Sequence, residues 1–272
     1  MPRSSPDAPV PAVVRLVQSA VLGRWRATGD ELYRELAVLI DARPDRDVLV
    51  AGSGSGDAAH WLADRTGVSI TGVDPDPSLI ALAEARARSE GRRLPLHYER
   101  AALVDLPHES EVFDAAIGEP AISAADDPAL AVRELVRVTR PLGTIVLLQP
   151  TWTSETARES RELIANRLGL RPHLLVEWKQ MLREAGVVEI QVQDWTSGTR
   201  DGRGTGPRIV PIPHLTWRQK MHIAGRAWRR WGIREVRGAL DREASLLHTL
   251  SRERSIGLQL IKGVKWPHPF EP

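Results

Sequence analysis

"DVLVAGSGSGDAAHWLA", Asp47 to Ala63, begins as an apolar β-type run, passes through three alternating glycines and leaves as a helix-forming segment. A strand that delivers its carboxyl end into Gly52-Ser53-Gly54-Ser55-Gly56 sets bare backbone N–H groups beside any ligand there, because glycine has no Cβ to block the approach. A cofactor is expected at this turn. A dinucleotide site has G-x-G-x-x-G/A spacing, with the third small residue five after the first. That position is Asp57, a negative charge where a pyrophosphate would lie, so NAD is disfavoured without being excluded. A phosphate-binding P-loop is disfavoured more strongly, since no G-K-S/T ends the run.

Short apolar runs recur on both sides of this turn: Arg46–Gly52, Val68–Asp74, Leu94–Arg100, Val112–Gly118 and Gly143–Gln149. Helix-period segments separate them. In "PSLIALAEARARSEG", Leu79, Leu82, Ala83 and Arg86 are spaced as one face, and Gly91 stops the helix. Strand alternating with helix means a parallel sheet with right-handed crossovers, hence a doubly wound α/β fold. Further on come helical stretches at Glu155–Leu168 and Leu174–Ala185, a sixth strand in "VVEIQVQDW", and a Gly/Pro-rich loop from Thr196 to Pro213. Helices over Leu215–Trp231 and Arg234–Ser251 follow. A closing strand, "SIGLQLIKGVKW", then puts Ile256, Leu258 and Leu260 on one face.

The second strand ends in Asp74, twenty-two residues after Gly52. A carboxylate at that edge accepts both hydroxyls of a ribose, the group that NAD and adenosyl ligands share. The other reading of Asp74 is a turn residue in "DPDP".

At this point the chain resembles the class I S-adenosylmethionine-dependent methyltransferases, in the group that methylates small molecules. "VLVAGSGSG" is similar to the family's first motif, V-L-D-x-G-x-G-x-G, and "ITGVDPDPSLIALAEARA" to its ribose-binding second strand and helix. "VDLPHESEVFDAAIGEPAI" resembles the L-P…F-D segment, and "VRELVRVTRPLGTIVLLQP" the E-x-x-R-V-L-x-P-G-G turn and fifth strand. The first motif alone is weak, whereas the ordered set from Asp47 to Pro150 is specific. The resemblance implies a seven-stranded sheet in order 3-2-1-4-5-7-6 with the last strand antiparallel. It also implies S-adenosylmethionine as cofactor, S-adenosylhomocysteine as product, and a cofactor site made by Gly52, Ser53, Gly54, Gly56, Asp74, Pro75, Ala102, Leu103 and Glu119. On this reading Asp74→Ala abolishes most of the cofactor affinity with little effect on the fold.

Two positions depart from the family pattern. Val50 stands where an acid usually helps hold the methionine amino group, and Ala102 where an Asp usually meets the adenine amine. A charge-assisted hydrogen bond is worth roughly 1.5–3 kcal/mol, so an unreplaced loss costs about tenfold or more in affinity. Asp57 and Glu119 are the candidate replacements for the amino-group anchor. Methyl transfer from a sulfonium runs largely on positioning and desolvation, so at most one general base is needed. Glu119 and His173 are the weak candidates for it.

The chain has 272 residues and no cysteine, which removes disulfides, thiolate metal sites and thiol nucleophiles; no metal site is expected, and a reducing cytoplasm is the natural setting. The front half, residues 1–150, carries 16 Lys+Arg against 22 Asp+Glu; residues 151–272 carry 21 against 13. Either an anionic partner or solvated arginine-rich helix faces account for the basic rear half. In His214–Gly232, Trp217, Met221, Ala224, Trp228 and Trp231 share one helical face, while Arg218, Arg226, Arg229 and Arg230 lie mostly off it. A cap packed on the domain is the first reading and an interfacial helix making peripheral membrane contact the second. Nucleic acid is not expected, because no recognised motif accompanies the arginines.

The expected layout is an N-terminal helical lid at 1–43, a core at 44–195, a loop and Arg/Trp-rich cap insert at 196–253, and a closing strand and tail at 254–272. Trp25, Tyr33, Trp152, Trp217 and Trp228 are candidate walls of an acceptor pocket. The expected function is methyl transfer to a small-molecule or lipid-like acceptor. The alternative is a non-catalytic adenosyl-ligand or membrane-surface binding protein on the same fold, and an NAD-type enzyme is third.

Overall fold

Eight strands form one sheet in the computed structural model, which describes residues 30–89, 94–153, 171–195 and 256–267 and isolated positions at 161, 162, 165, 232, 234, 237, 238 and 241. The strands are β1 Asp47–Ala51, β2 Ser69–Asp74, β3 Leu96–Arg100, β4 Phe113–Gly118, β5 Thr139–Trp152, β6 His173–Leu174, β7 Val187–Asp194 and β8 Ile256–Lys265. Helices α1 Asp30–Leu39, α2 Asp57–Thr66, α3 Pro77–Ser89, α4 Pro128–Val138 and α5 Leu175–Glu184 accompany them, with a 3₁₀ turn at Pro120–Ala124. The strand order is β3-β2-β1-β4-β5-β8-β7, with β6 paired to β5 off this path. β8 runs antiparallel to both neighbours, and every other pairing is parallel. This is the expected order with one addition, the two-residue β6, which is too short to leave a periodic signal in the sequence.

The central strands are buried on both faces, as a parallel sheet between two helical layers requires. Val48 and Val50 of β1 point to one layer, where they pack with Leu32 and Leu36 of α1, Leu62 of α2 and Ile80 of α3. Leu49 and Ala51 point to the other, where Leu135 of α4 and Trp178 and Leu182 of α5 complete the core. Local chemistry marks the helix ends. Asp127 caps α4 by accepting the Leu130 N–H at 2.9 Å with Pro128 in the first turn. Gly67, left-handed at φ 73°, closes α2.

The face of α3 differs from the sequence expectation. Ala83 is buried as expected, together with Ile80, whereas Leu82 is 51% exposed, Leu79 only half-buried and Arg86 exposed. Leu79 and Leu82 follow helical spacing, but the stripe one residue along, through Ile80, Ala83 and Ala87, is the one that meets the sheet. Size misled the reading, because a small alanine stripe lets α3 approach closely.

The expected lid helix at 10–22, Trp25, the loop at 196–213, and Trp217 and Trp228 of the insert lie outside the described residues. So does most of the expected helix at 155–168, of which residues 161, 162 and 165 are helical. Among the described residues no helix is long and apolar enough to cross a membrane.

The corrected α3 face has a direct test in urea unfolding. Ile80→Ala is expected to cost about 2–4 kcal/mol and Leu82→Ala less than about 0.5; the reverse ranking would restore the face read from the sequence.

Candidate cofactor site at the glycine turn

The carboxyl ends of β1, β2 and β4 lie side by side, and the glycine turn is tied to its neighbours by backbone bonds. Gly52 and Ser53 both donate to the Val73 carbonyl, at 2.7 and 2.9 Å, and Glu119 N donates to Ala51 O at 2.9 Å. Gly52, Gly54 and Gly56 all have positive φ, at 75°, 56° and 78°, so the turn is closed to ordinary side chains by conformation alone. Two of them also face tight neighbours. A Cβ on Gly52 would stand 2.6 Å from the Ala121 Cβ, and one on Gly56 would collide with the Tyr98 hydroxyl.

Tyr98 is the plug beneath the turn. It rises from β3 into space left by Gly56 and by Gly72 of β2, where a Cβ would lie 2.6 Å from the ring. Its hydroxyl donates to Gly56 O at 3.3 Å. Burial pushes this phenol far above its ordinary range; Arg86 opposes the rise, while Glu119 and Asp57 add to it. Tyr98 therefore stays neutral and keeps its proton for the carbonyl.

Asp74, buried at the end of β2, holds the turn from the other side. Its Oδ2 accepts the Gly54 N–H at 2.8 Å and its Oδ1 the Asp76 N–H at 3.0 Å. Two ionised oxygens offer about four lone-pair sites, so acceptor capacity is left for a ligand's hydroxyls. The expectation that Asp74→Ala spares the fold is corrected here, since that change would release two backbone N–H groups.

Asp57 is committed elsewhere. It accepts from Ser55 Oγ at 2.9 Å and pairs closely with Arg86 of α3, latching α2 to α3. Glu119 is buried where β4 gives way to the 3₁₀ turn, close enough to act on the Tyr98 hydroxyl. Its backbone carbonyl and that of Gly118 each accept from Gln149 Nε2 at 2.9 Å, while Ser123 Oγ donates to Gln149 Oε1 at 2.7 Å.

The loop after β3 is stapled from below. Arg137 donates through Nε and Nη2 to the two carboxylate oxygens of Glu134, both at 2.7 Å, and through Nη1 and Nη2 to the carbonyls of His108 and Leu106 at 2.8 and 3.0 Å. Glu134 Oε2 returns the bond by accepting Leu106 N–H at 2.9 Å. Such a fork is what a fixed bidentate Arg–carboxylate pair provides. Here it holds the segment whose start places Leu103 in the core and leaves Ala102 exposed.

The remaining expected residues fall as follows. Pro75 is exposed and its carbonyl accepts from Arg100 Nε at 3.3 Å. Tyr33 packs in the core with its ring 5.8 Å from that of Trp61, so it belongs to the α1–α2 contact rather than to an open wall. Trp152 is buried at the end of β5. His173 sits on β6, just before α5, with Nδ1 3.4 Å from Glu177 and its ring edge-on to Trp178.

Residues 49–147 match the family model described as "Methyltransferase domain". This segment belongs to the methyltransferase-domain family. The chain is 24% identical over 187 residues to "Methyltransferase GfsG" of Streptomyces halstedii, covering 67% of this chain and 66% of that protein. The matched segment spans 66% of the length of that relative and 48% of three mycobacterial proteins that are 33% identical over 138 residues. Among solved structures, a geranyl diphosphate C-methyltransferase from Streptomyces coelicolor A3(2) aligns with TM-score 0.63 at 16% identity, over 97% of this chain and 88% of that one. The [4+2]-cyclase SpnF aligns with TM-score 0.67 at 20% identity, over 88% and 81%.

S-adenosylmethionine is the methyl donor of this family, and the residues of the methyltransferase domain fit it. The turn offers bare backbone, the Asp74 carboxylate has lone pairs to spare, and Ser53 Oγ is buried with no hydrogen-bond partner among the described residues. Sequence reasoning missed Gln149, Ser123 and Tyr98. Two signals pointed to Gln149 and Tyr98, and none to Ser123: a lone amide in the apolar run "IVLLQ", and Gly72 inside a strand, which announces a close approach.

The Glu134–Arg137 staple predicts a pH dependence. Arg137's hydrogen bonds hold the Glu134 carboxyl below the usual glutamate range, so its contribution is complete above that range and fades as pH falls through the lowered value. Thermal unfolding across pH should show the advantage of the wild type over Glu134→Gln steady above about pH 5.5 and shrinking below about pH 4.5. A gap that widens on acidification would reject this assignment.

Proposed function

We propose that this chain transfers a methyl group from S-adenosylmethionine to a small-molecule or lipid-like acceptor. One arrangement carries the reading: a glycine turn of bare backbone lies between two buried acids, Asp74 at the end of β2 and Glu119 just after β4. A ribose needs an acceptor for its hydroxyls and a methionine end needs an anion for its ammonium, and the two acids stand on opposite sides of the turn to meet them. When bound, the sulfonium supplies an activated methyl group.

The chain's own part is to hold and to dry the donor. Asp74, already oriented by Gly54 and Asp76, accepts from the ribose. Glu119 takes the ammonium in place of the acid absent at Val50, since Asp57 is spent on Arg86 and Ser55. Leu103 supports the adenine edge. Positioning and exclusion of water then do most of the catalytic work, and no residue is assigned as a base. Trp25, Trp217 and Trp228 stay candidates for the acceptor wall.

A second reading has a specific motive. A [4+2]-cyclase shares this fold, and Val50 has put an apolar side chain where an acid is usual, so a chain that binds the donor without transferring from it is the alternative.

Calorimetric titration with S-adenosylmethionine, S-adenosylhomocysteine and NAD tests both readings. The adenosyl ligands are expected to bind and, at a hundred times Kd, to stabilise the fold by about 2.7 kcal/mol. Glu119→Gln should weaken S-adenosylhomocysteine by about tenfold or more. Binding without turnover across an acceptor panel would favour the second reading, and NAD alone binding would overturn both.

A further inference from the structure

β4 pairs with β5 only as far as Gly118 opposite Leu147, and beyond that point the ladder stops. The chain turns there into the Pro120–Ala124 3₁₀ helix, and Gln149 reaches across from β5 to brace the corner. Its Nε2 donates to both carbonyls at 2.9 Å, and its Oε1 accepts from Ser123 Oγ at 2.7 Å. Gln149 and Ser123 are fully buried and Glu119 nearly so.

The amide's orientation follows from its partners. Two carbonyls can only accept, so the nitrogen must face them, and the hydroxyl then serves the oxygen. A buried amide with all its groups used is a rigid brace, whereas one left short would be destabilising. The brace grips a single residue from two sides. Glu119 N–H is bound to Ala51 O of β1 and Glu119 C=O to Gln149, so its backbone is pinned between the strand that feeds the glycine turn and the strand beyond it. Ala121, on the same 3₁₀ helix, sits against Gly52 and sets the distance of this corner from the turn.

We infer that Gln149 and Ser123 are positioning residues that fix Glu119 for the ammonium end of the methyl donor. The inference rests on the donor reading above. Glu119 comes from a neighbouring strand to stand in for the acid absent at Val50, and a carboxyl reached from a loop after β4 needs its own support. Gln149 and Ser123 provide it without touching the donor.

The test uses the full chain and two ligands, S-adenosylhomocysteine and methylthioadenosine; the second shares the adenosyl thioether but lacks the amino-acid end. Gln149→Met is expected to weaken S-adenosylhomocysteine about tenfold while leaving methylthioadenosine within about twofold. Ser123→Ala, a milder change that frees the amide to turn, should give the same selectivity with a smaller loss. In a Glu119→Gln background neither variant should add further loss, because partners in one network are not additive. Val132→Ala, in the α4 core, gives the pattern of plain destabilisation for comparison. Equal losses for both ligands, following the fall in Tm as in that control, would overturn the positioning role while leaving the donor reading intact. If Gln149→Met does not fold, Ser123→Ala decides. A wild-type chain that binds neither ligand would overturn the donor reading and this inference together.

Discussion

The Asp74 carboxylate carries the site. A buried acid at the end of a parallel strand has to be solvated by the protein itself, and Asp74 is solvated by the N–H groups of Gly54 and Asp76. Those two bonds join the glycine turn after β1 to the turn after β2, so the turn's shape and the carboxylate's orientation are one constraint. Tyr98 closes the same unit from below, and its size is the reason that Gly56 and Gly72 have no side chains. Ligand approach is therefore a property of the middle of the turn. Its third glycine is spent on packing.

This division of labour was only partly legible in the sequence. The sheet was readable because short apolar runs bounded by turn signals alternate with helix-period segments, and the order of motifs implied the strand order with its antiparallel end. The glycine turn and Asp74 were readable for the same reason: rare residue types stood where strands end. What each glycine does was not readable, since Tyr98 lies 42 residues from Gly56 in the chain and only the sheet register brings them together. α3 was misread because Leu79 and Leu82 outweigh an alanine stripe in any hydrophobic count, while the sheet selects for close approach. Gln149 was hidden by its neighbours, since a single amide among apolar residues does not alter the strand pattern.

The E-x-x-R pattern is a case where a motif was seen and its work was not. Glu134 and Arg137 lie one turn apart on α4, a spacing usually worth a few tenths of a kcal/mol on an exposed helix. Here the pair reaches out of its helix and takes three backbone groups of the loop after β3. The pair is half-buried, both ions are oriented by each other, and the carbonyls of Leu106 and His108 use donors that the carboxylate leaves over. The loop is ordered by a helix that packs in the same layer of the core.

Val50 shows how the departure from the family pattern is accommodated. Its side chain is fully buried in the layer that holds Leu62, Ala58 and Ile80. An acid there would have to be desolvated among apolar groups and could be tolerated only if a bound cation repaid that cost. The valine removes that liability, and on the proposed reading the negative charge is supplied from the corner after β4. At that corner the 3₁₀ turn, Ala51 and Gln149 already fix the backbone. On the proposed reading, an acid at a braced corner instead of on the strand leaves the apolar layer around Val50 free of any charge that only a ligand could neutralise.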